Sequence, residues 1–208
     1  MERTNGDIKD AGLSPAAQVE HLMRTNAALK AELATMRGLA FRDQLTGLYS
    51  RRYLTDFLVH EIIEASESGT VVLALCDIDD FKSINDLRGH RSGDIAIACI
   101  ADILEDLAGG QPVIRWGGEE LLITLFAFSD LEALRLCNDI RRQIEAYSIN
   151  DGLGEYSCTV TFGIGTYDPK LTFEDNFLSI DRALYEGKET GKNRCILVRN
   201  DASKESLL

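Results

Sequence analysis

The sequence predicts an α/β domain on a mixed sheet, with one long amphipathic helix ahead of it. Three observations lead there. From about residue 51 to residue 198, helical and strand-like periodicities alternate. Two of the strand-like runs are joined by Gly117-Gly118, and a hairpin inside an alternating pattern excludes a purely parallel sheet. Before residue 41 the apolar residues instead step by threes and fours.

Taken in order, residues 1–13 are polar and expected to be disordered. Ser14-Pro15 reads as a helix start, with Ser as N-cap and Pro in the first helical position. Val19, Leu22, Asn26, Leu29, Leu33, Met36 and Ala40 then follow the a/d pattern of a coiled coil. Asn26 falls at an a position, where a buried polar pair favours a two-stranded, in-register dimer. The alternative is a single helix packed on its own domain. After "FRDQLTGLYS", helices are expected near 51–66, 92–107, 129–147 and 173–189. Strands are expected at "VVLALC" (71–76), "PVIRW" (112–116), "ELLITLF" (120–126), "YSCTVTFGIG" (156–165) and "CILV" (195–198). The two glycines are expected to supply the positive φ of a tight primed turn. The organisation is thus a helix over 14–40, a domain over 41–199 and a disordered tail over 200–208.

Composition narrows the function. A formal net charge of −12 on 208 residues argues against nucleic acid as a partner, since backbone binding needs surplus Lys and Arg. The apolar runs fall far short of the ~20 residues that span a bilayer. "MERTNGDIKDAG" has no apolar segment of the secretory kind, so the cytoplasm is the expected compartment. The five cysteines are widely spaced without a CxxC pair, which reads as reduced thiols in apolar surroundings.

Candidate chemistry begins at "LALCDIDDFKSIND", where an apolar strand ends in Asp77, Asp79 and Asp80. Asp77 and Asp79 share a face if the strand continues. A solvated, capping turn is the plain alternative. In "RWGGEELL", Glu119 and Glu120 open the return strand of the hairpin. If the two strands are neighbours, acids from both meet at one end of the sheet and repel unless a cation joins them. Hard oxygen ligands suit Mg²⁺, which keeps positions open for phosphate oxygens. Gly117 and Gly118 would let a bulky substrate lie against the backbone. Lys82 follows the aspartates, and Lys188 and Lys192 lie one helical turn apart; a solvated basic helix end would explain them equally well. "GKETGKN" is not a P-loop: it is one residue short, has Asn for the hydroxyl and follows a helix instead of a strand. His90 is either a surface loop residue or part of a site. Asp94 is either an N-cap or, with Asn85, a reader of a purine edge.

These pieces in this order resemble the GGDEF family of diguanylate cyclases. The resemblance rests on "DQLTGL" (43–48), "SRRY" (50–53), "DIDDFKSINDLRGHRSGD" (77–94), "RWGGEEL" (115–121), "FGIG" (162–165) and "ALYEGKETGKNR" (183–194). It implies a polymerase-palm-like α/β domain with a mostly antiparallel five-stranded sheet. It also implies condensation of two GTP into cyclic di-GMP with release of pyrophosphate, by a homodimer holding one GTP per domain. Asp77, the carbonyl of Ile78 and Glu119 would hold Mg²⁺, or Mn²⁺ in its place, with Glu120 secondary. Glu119 would also help deprotonate the attacking hydroxyl. Asn85, His90 and Asp94 would meet the base and ribose, and the acid at Asp94 favours GTP over ATP. The Phe81 backbone, Lys82, Lys188 and Lys192 would meet the triphosphate.

The chain departs from the pattern in three places. Leu121 stands for the motif's aromatic, at a position expected to point into the core. "AGGQ" (108–111) stands where the family's RxxD product-inhibition site would be, so feedback there is expected to be absent. Gly187 replaces an alanine, at a propensity cost of about 1 kcal/mol. A non-catalytic GGDEF-like binding module and another nucleotidyl cyclase of the same architecture are the alternatives.

Overall fold

The computed structural model describes residues 14–198, and the side chains of all of these except residues 30–40. The tails expected at 1–13 and 200–208 lie outside the described residues, as do the side chains of Leu33, Met36 and Ala40. The chain divides into two compact units between Ala40 and Phe41.

The first unit is the helix α1 (Pro15–Ala40). Its start is as expected: the Ser14 hydroxyl accepts from the Ala17 N–H at 3.3 Å. Val19, Leu22, Met23 and Leu29 are all exposed, a row of apolar side chains without cover in the isolated helix.

The second unit runs β1 (Tyr49–Ser50), α2 (Arg51–Tyr53), a π-helical stretch (Leu54–Leu58), α3 (Val59–Ser68), β2 (Val71–Ile78), α4 (Phe81–Arg88), α5 (His90–Leu107) and β3 (Val113–Arg115). It continues through β4 (Glu120–Phe126), α6 (Asp130–Ala146), β5 (Ile149–Asn150), β6 (Glu155–Tyr156), β7 (Val160–Thr166), α7 (Phe173–Glu189) and β8 (Cys195–Leu197). Among the described residues the main sheet has six strands in the order β1-β3-β4-β2-β7-β8, and β5-β6 form a separate hairpin. The three inner pairings are antiparallel and the two outermost parallel.

Several expectations need correction. The sixth strand, β1, is two residues long and carries no strand periodicity of its own. The strand expected over 156–165 is two: Glu155-Tyr156 pairs with Ile149-Asn150, and only from Val160 does the chain join the main sheet. The helix α4 is not among the expected ones. At eight residues it is shorter than the stretch over which helical periodicity is counted, although Phe81 and Ile84 on one side of it do pack on the core. Asp94 is not an N-cap, because α5 already begins at His90, with Gly89 (φ 86°) before it. The hairpin joining β3 to β4 is present, but neither Gly117 nor Gly118 has positive φ. The connection spans Trp116–Glu119, too long to need a primed two-residue turn; the Glu120 carboxylate passes close to Gly117, its Oε2 2.7 Å from where a Cβ would be.

β2 is the centre of the core, and all eight of its residues are buried. Val72, Ala74, Cys76 and Ile78 pack with α5 and α6 on one face; Val71, Leu73 and Leu75 pack with Leu54, Leu58, Ile62 and the α7 residues Ile180 and Leu184 on the other. Each large aliphatic side chain so buried contributes roughly 1.5–3 kcal/mol. Leu121 is fully buried among the first set, as expected of the replaced aromatic. Cys76, Cys137 and Cys158 are buried, and Cys99 and Cys195 half-buried. Among the described residues no helix is long and apolar enough to cross a membrane.

α7 lies against β7 with no side chain between them at Gly163. A Cβ there would be 2.0 Å from the Ile180 carbonyl oxygen and 2.5 Å from the Leu184 nitrogen. Gly187 is similarly confined, its Cβ position 2.6 Å from Thr161 Cγ2, so glycine and not the family's alanine suits this helix. Since backbone cannot yield as a side chain can, Gly163→Ala is expected to destabilise the domain by about 2–3 kcal/mol or more in urea unfolding. Unchanged stability would show that α7 is free to move outward.

Candidate functional site

The register of β2 sets the site. Asp77 is the Cα partner of Glu120 on β4 and of Thr161 on β7, one residue before β2 ends. Glu119 immediately precedes Glu120, so acids 42 and 43 residues further along the chain meet Asp77 at the same end of the sheet. Asp77 is only 6% exposed. Burial pushes its carboxyl up to about 6; Lys188 opposes this, while Glu119 and Glu120 add to it. Burial likewise raises Glu120, with Asp181 adding to the effect and Lys188 opposing it. The Lys188 ammonium lies 2.7 Å from Asp77 Oδ1 and is the local counter-charge. Asp77, Glu120, Asp181, Arg182, Leu184, Tyr185 and Lys188 line a cleft of about 250 Å³.

Among the described residues no three His, Cys, Asp or Glu side chains are gathered tightly enough to cage a metal ion by themselves. Mg²⁺ commonly takes only one or two carboxylates and completes its shell with water and phosphate oxygens. The all-oxygen donor set and the mutual repulsion of Asp77, Glu119 and Glu120 fit such an ion. The side chain of Ile78 is buried in the core, leaving only its backbone to face a ligand.

Beyond β2 the chain turns sharply. Asp79, also buried, accepts from Thr159 Oγ1 (2.6 Å), Thr161 Oγ1 (2.7 Å) and the Asn193 N–H (2.9 Å). It is therefore committed to structure and does not join Asp77 as a second ligand. Asp80, with φ 54°, precedes α4 and pairs with Lys192 at 2.5 Å. Lys192 and Asn193 both have positive φ, and Asp79 holds that bend in place. The first N–H groups of α4, at Phe81 and Lys82, have no carbonyl within the helix to bond, the usual arrangement for receiving an anion. Lys82 is exposed beside them.

Asn85 lies in the second half of α4 and is seated on Gly93 of α5, where a Cβ would fall 2.1 Å from its Oδ1. Asp94 follows directly and is exposed; His90 is exposed at the head of α5. None of these three side chains hydrogen-bonds among the described residues. A larger cavity of about 510 Å³, between α4 and residues 156–159, is lined by Asp79 and Asp80 but by none of the residues expected to meet the metal or the nucleotide.

Some participants were not foreseen. Asp181 lies seven residues before Lys188, two helical turns, and that spacing could have revealed it. Arg115 forks onto the Gly118 carbonyl (2.8 and 3.2 Å) and pairs with Asp43 at 2.9 Å, tying "DQLTGL" to the glycine turn. Burial works against the Asp43 charge, but Arg115 and Thr46 hold the carboxyl below its ordinary range.

A family profile described as "Diguanylate cyclase, GGDEF domain" matches residues 40–194. The chain belongs to the GGDEF family. The chain is similar to diguanylate cyclase DgcZ of Escherichia coli (strain K12). Identity is 37% over 183 residues, covering 86% of this chain and 61% of that protein. Diguanylate cyclase A of Treponema denticola is 29% identical over 184 residues, 86% of this chain and 50% of that protein. The chain thus spans between half and two thirds of the length of these relatives. Among solved structures it is similar to the coiled coil and GGDEF domain of DgcB from Caulobacter crescentus in complex with c-di-GMP. There the TM-score is 0.73 at 26% identity, over 89% of this chain and 100% of that one. It is also similar to diguanylate cyclase SiaD, solved with its activator SiaC, from Pseudomonas aeruginosa, with TM-score 0.72 at 29% identity, over 88% and 74% of the two chains.

The raised Asp77 carboxyl has a consequence for stability. Its folded value of about 6 exceeds the ordinary 3.8, so the folded state binds the extra proton between these limits. The cost of the buried charge appears as pH rises through that window and is complete above it. In chelator, Asp77→Asn is therefore expected to be more stable than the native protein at pH 7.5, by roughly 2–3 kcal/mol, and equal to it below about pH 4. Thermal melts across pH check this, and a variant less stable at pH 7.5 would contradict it.

Proposed function

We propose that this GGDEF protein is a diguanylate cyclase that joins two GTP into cyclic di-GMP and two pyrophosphates. The observation that carries the reading is the direct pairing of Asp77 with Glu120, with Glu119 beside them, at the sheet end next to α4 and Lys188. DgcZ and the Treponema protein, both called diguanylate cyclases, support the reaction class.

Asp77, the Ile78 carbonyl and Glu119 would hold Mg²⁺, with Mn²⁺ as substitute and Glu120 in support. The ion would supply charge stabilisation at the α-phosphate. Phe81 and Lys82 at the head of α4, with Lys188 and Lys192, bind the triphosphate. Lys188 and Lys192 rest on Asp77 and Asp80 in the structure, so both ammonium groups start adjacent to where phosphate would lie. Asn85 and Asp94 take the guanine edge and His90 the ribose end. Gly117 and Gly118 let the nucleotide approach the backbone. Glu119 accepts the proton of the 3′-hydroxyl as its oxygen attacks the α-phosphate of the second GTP and pyrophosphate leaves. The reciprocal attack closes the ring.

One domain holds one GTP, so two copies must face each other. The exposed Val19, Leu22 and Leu29 of α1, with Asn26 in the same row, are the surface through which the homodimer forms, raising the local concentration of the second domain. Residues 108–111 carry no RxxD motif, and feedback by product at that site is absent.

Incubation with GTP and Mg²⁺ followed by chromatography tests the reaction. The expected result is cyclic di-GMP from the native chain and, from Glu119→Gln, intact GTP binding with product lowered at least about a hundredfold. GTP bound without turnover by the native chain would identify a binding module instead.

At one low concentration, a chain beginning at Phe41 is expected to turn over at least about tenfold more slowly than the full chain. Equal rates would remove α1 from the account.

A further inference from the structure

Recognition of guanine by Asn85 and Asp94 requires a fixed spacing between two helices, and the C-terminal half of α4 has little core contact to hold it in place. The helix is eight residues long, none of them fully buried, and is joined to α5 through Gly89 alone. A glycine with φ 86° is a natural pivot. Phe81 and Ile84 seat the first half of α4 on the core, but Leu87 is exposed and the end nearest the pivot has no such anchor, so a brace there would count.

The brace comes from the β5–β6 hairpin, 63 residues away. Arg88, the last residue of α4, forks onto Asp151 through Nε (2.8 Å) and Nη2 (3.1 Å), and its Nη2 also donates to the Gly154 carbonyl at 2.9 Å. The guanidinium lies over the Tyr156 ring, 4.3 Å from its centroid. The Asp151 side chain is 1% exposed. A carboxylate so enclosed is tolerable only when its lone pairs are taken, and here Leu153 N–H and Ser92 Oγ fill what Arg88 leaves, both at 2.8 Å. Ser92 belongs to the first turn of α5. Its single hydroxyl proton serves either Asp151 or the Arg88 carbonyl at 3.0 Å, and its own carbonyl accepts from Tyr156 at 2.6 Å. With the Ser92 proton on Asp151 the carboxylate grips the end of α4 and the start of α5 at once; with it on the Arg88 carbonyl, Ser92 ties the two helices directly. Asn85 is one turn before Arg88, and Asp94 is two residues after Ser92. Between them Gly93 seats the Asn85 amide with no room for a methyl group.

We propose that Arg88 and Asp151 are positioning residues that fix the spacing of Asn85 and Asp94 and so set the selectivity for guanine. The inference rests on the reading of Asn85 and Asp94 as the groups that meet the base. Neither Arg88 nor Asp151 need touch the nucleotide. A pair of hydrogen-bonding groups held at the right separation rejects a base lacking the matching donor, and a loosened pair rejects it less.

The test compares the affinities of 3′-deoxy-GTP and 3′-deoxy-ITP, which cannot react, for the full chain with Mg²⁺ by calorimetry. Hypoxanthine lacks the 2-amino donor of guanine and is otherwise the same size. The native protein is expected to prefer the guanine nucleotide, and Arg88→Ala and Asp151→Asn are each expected to narrow that preference about tenfold. The double variant should narrow it no further, because the two residues form one device. Arg88→Lys keeps the charge and the stem over Tyr156 while losing the fork, so it should fold normally and still narrow the preference. If the native preference survives in all four variants, even with lowered melting temperatures, the pair is a structural tie only and the inference fails. Equal affinity of the native protein for both nucleotides would instead overturn the assignment of Asn85 and Asp94, and the inference with it.

Discussion

Three carboxylates crowded at one end of a buried strand are the constraint around which this domain is arranged. β2 is apolar along its length except where Asp77 ends up, opposite Glu120 and next to Glu119. Low dielectric and like charge both disfavour ionisation there, and a carboxyl held at about 6 records that cost. Lys188 offsets part of it. A sequence selected only for stability would place an apolar pair at these positions, so the arrangement makes sense as a seat for a cation and a polyphosphate.

The rest of the unit serves to hold that seat. The sheet has helices on both faces, and Gly163 lets α7 approach closely enough for Lys188 to reach Asp77. Asp79 spends its buried carboxylate on the bend that carries Lys192, and Arg115 braces the glycine turn from the side of Asp43. The end proposed to read the base is assembled differently, from two helix segments steadied by a hairpin distant in sequence. On the proposed reading, phosphate and base would be held by separate pieces of the scaffold.

Much of this was legible in the residues themselves. Strands such as "VVLALC" and "ELLITLF" declare themselves by composition, and acids interrupting them mark a site before any geometry is known. What the pattern concealed has physical reasons. Two-residue strands such as β1 have too few side chains to show a period. α4 hides because its eight residues are fewer than the window in which a helical period is read, even though Phe81 and Ile84 face the core. Tyr156 and Val160 sit in one β-like run but belong to different sheets, because the first pairs with Ile149. The hairpin was foreseen for the wrong reason: neither Gly117 nor Gly118 takes the positive φ of a primed turn. Asp151 gave no sign at all, since a partner 63 residues away leaves no local signature.

The account stands on the convergence of Asp77 and Glu119 upon a divalent ion. A crystal structure with Mn²⁺ and a non-reactive GTP analogue tests this most directly, through the anomalous signal of the metal. The predicted result is a peak within ligating distance of both carboxylates and of a phosphate oxygen, with Lys188 drawn off Asp77. A nucleotide bound with Lys188 still on Asp77 and the metal elsewhere would contradict it.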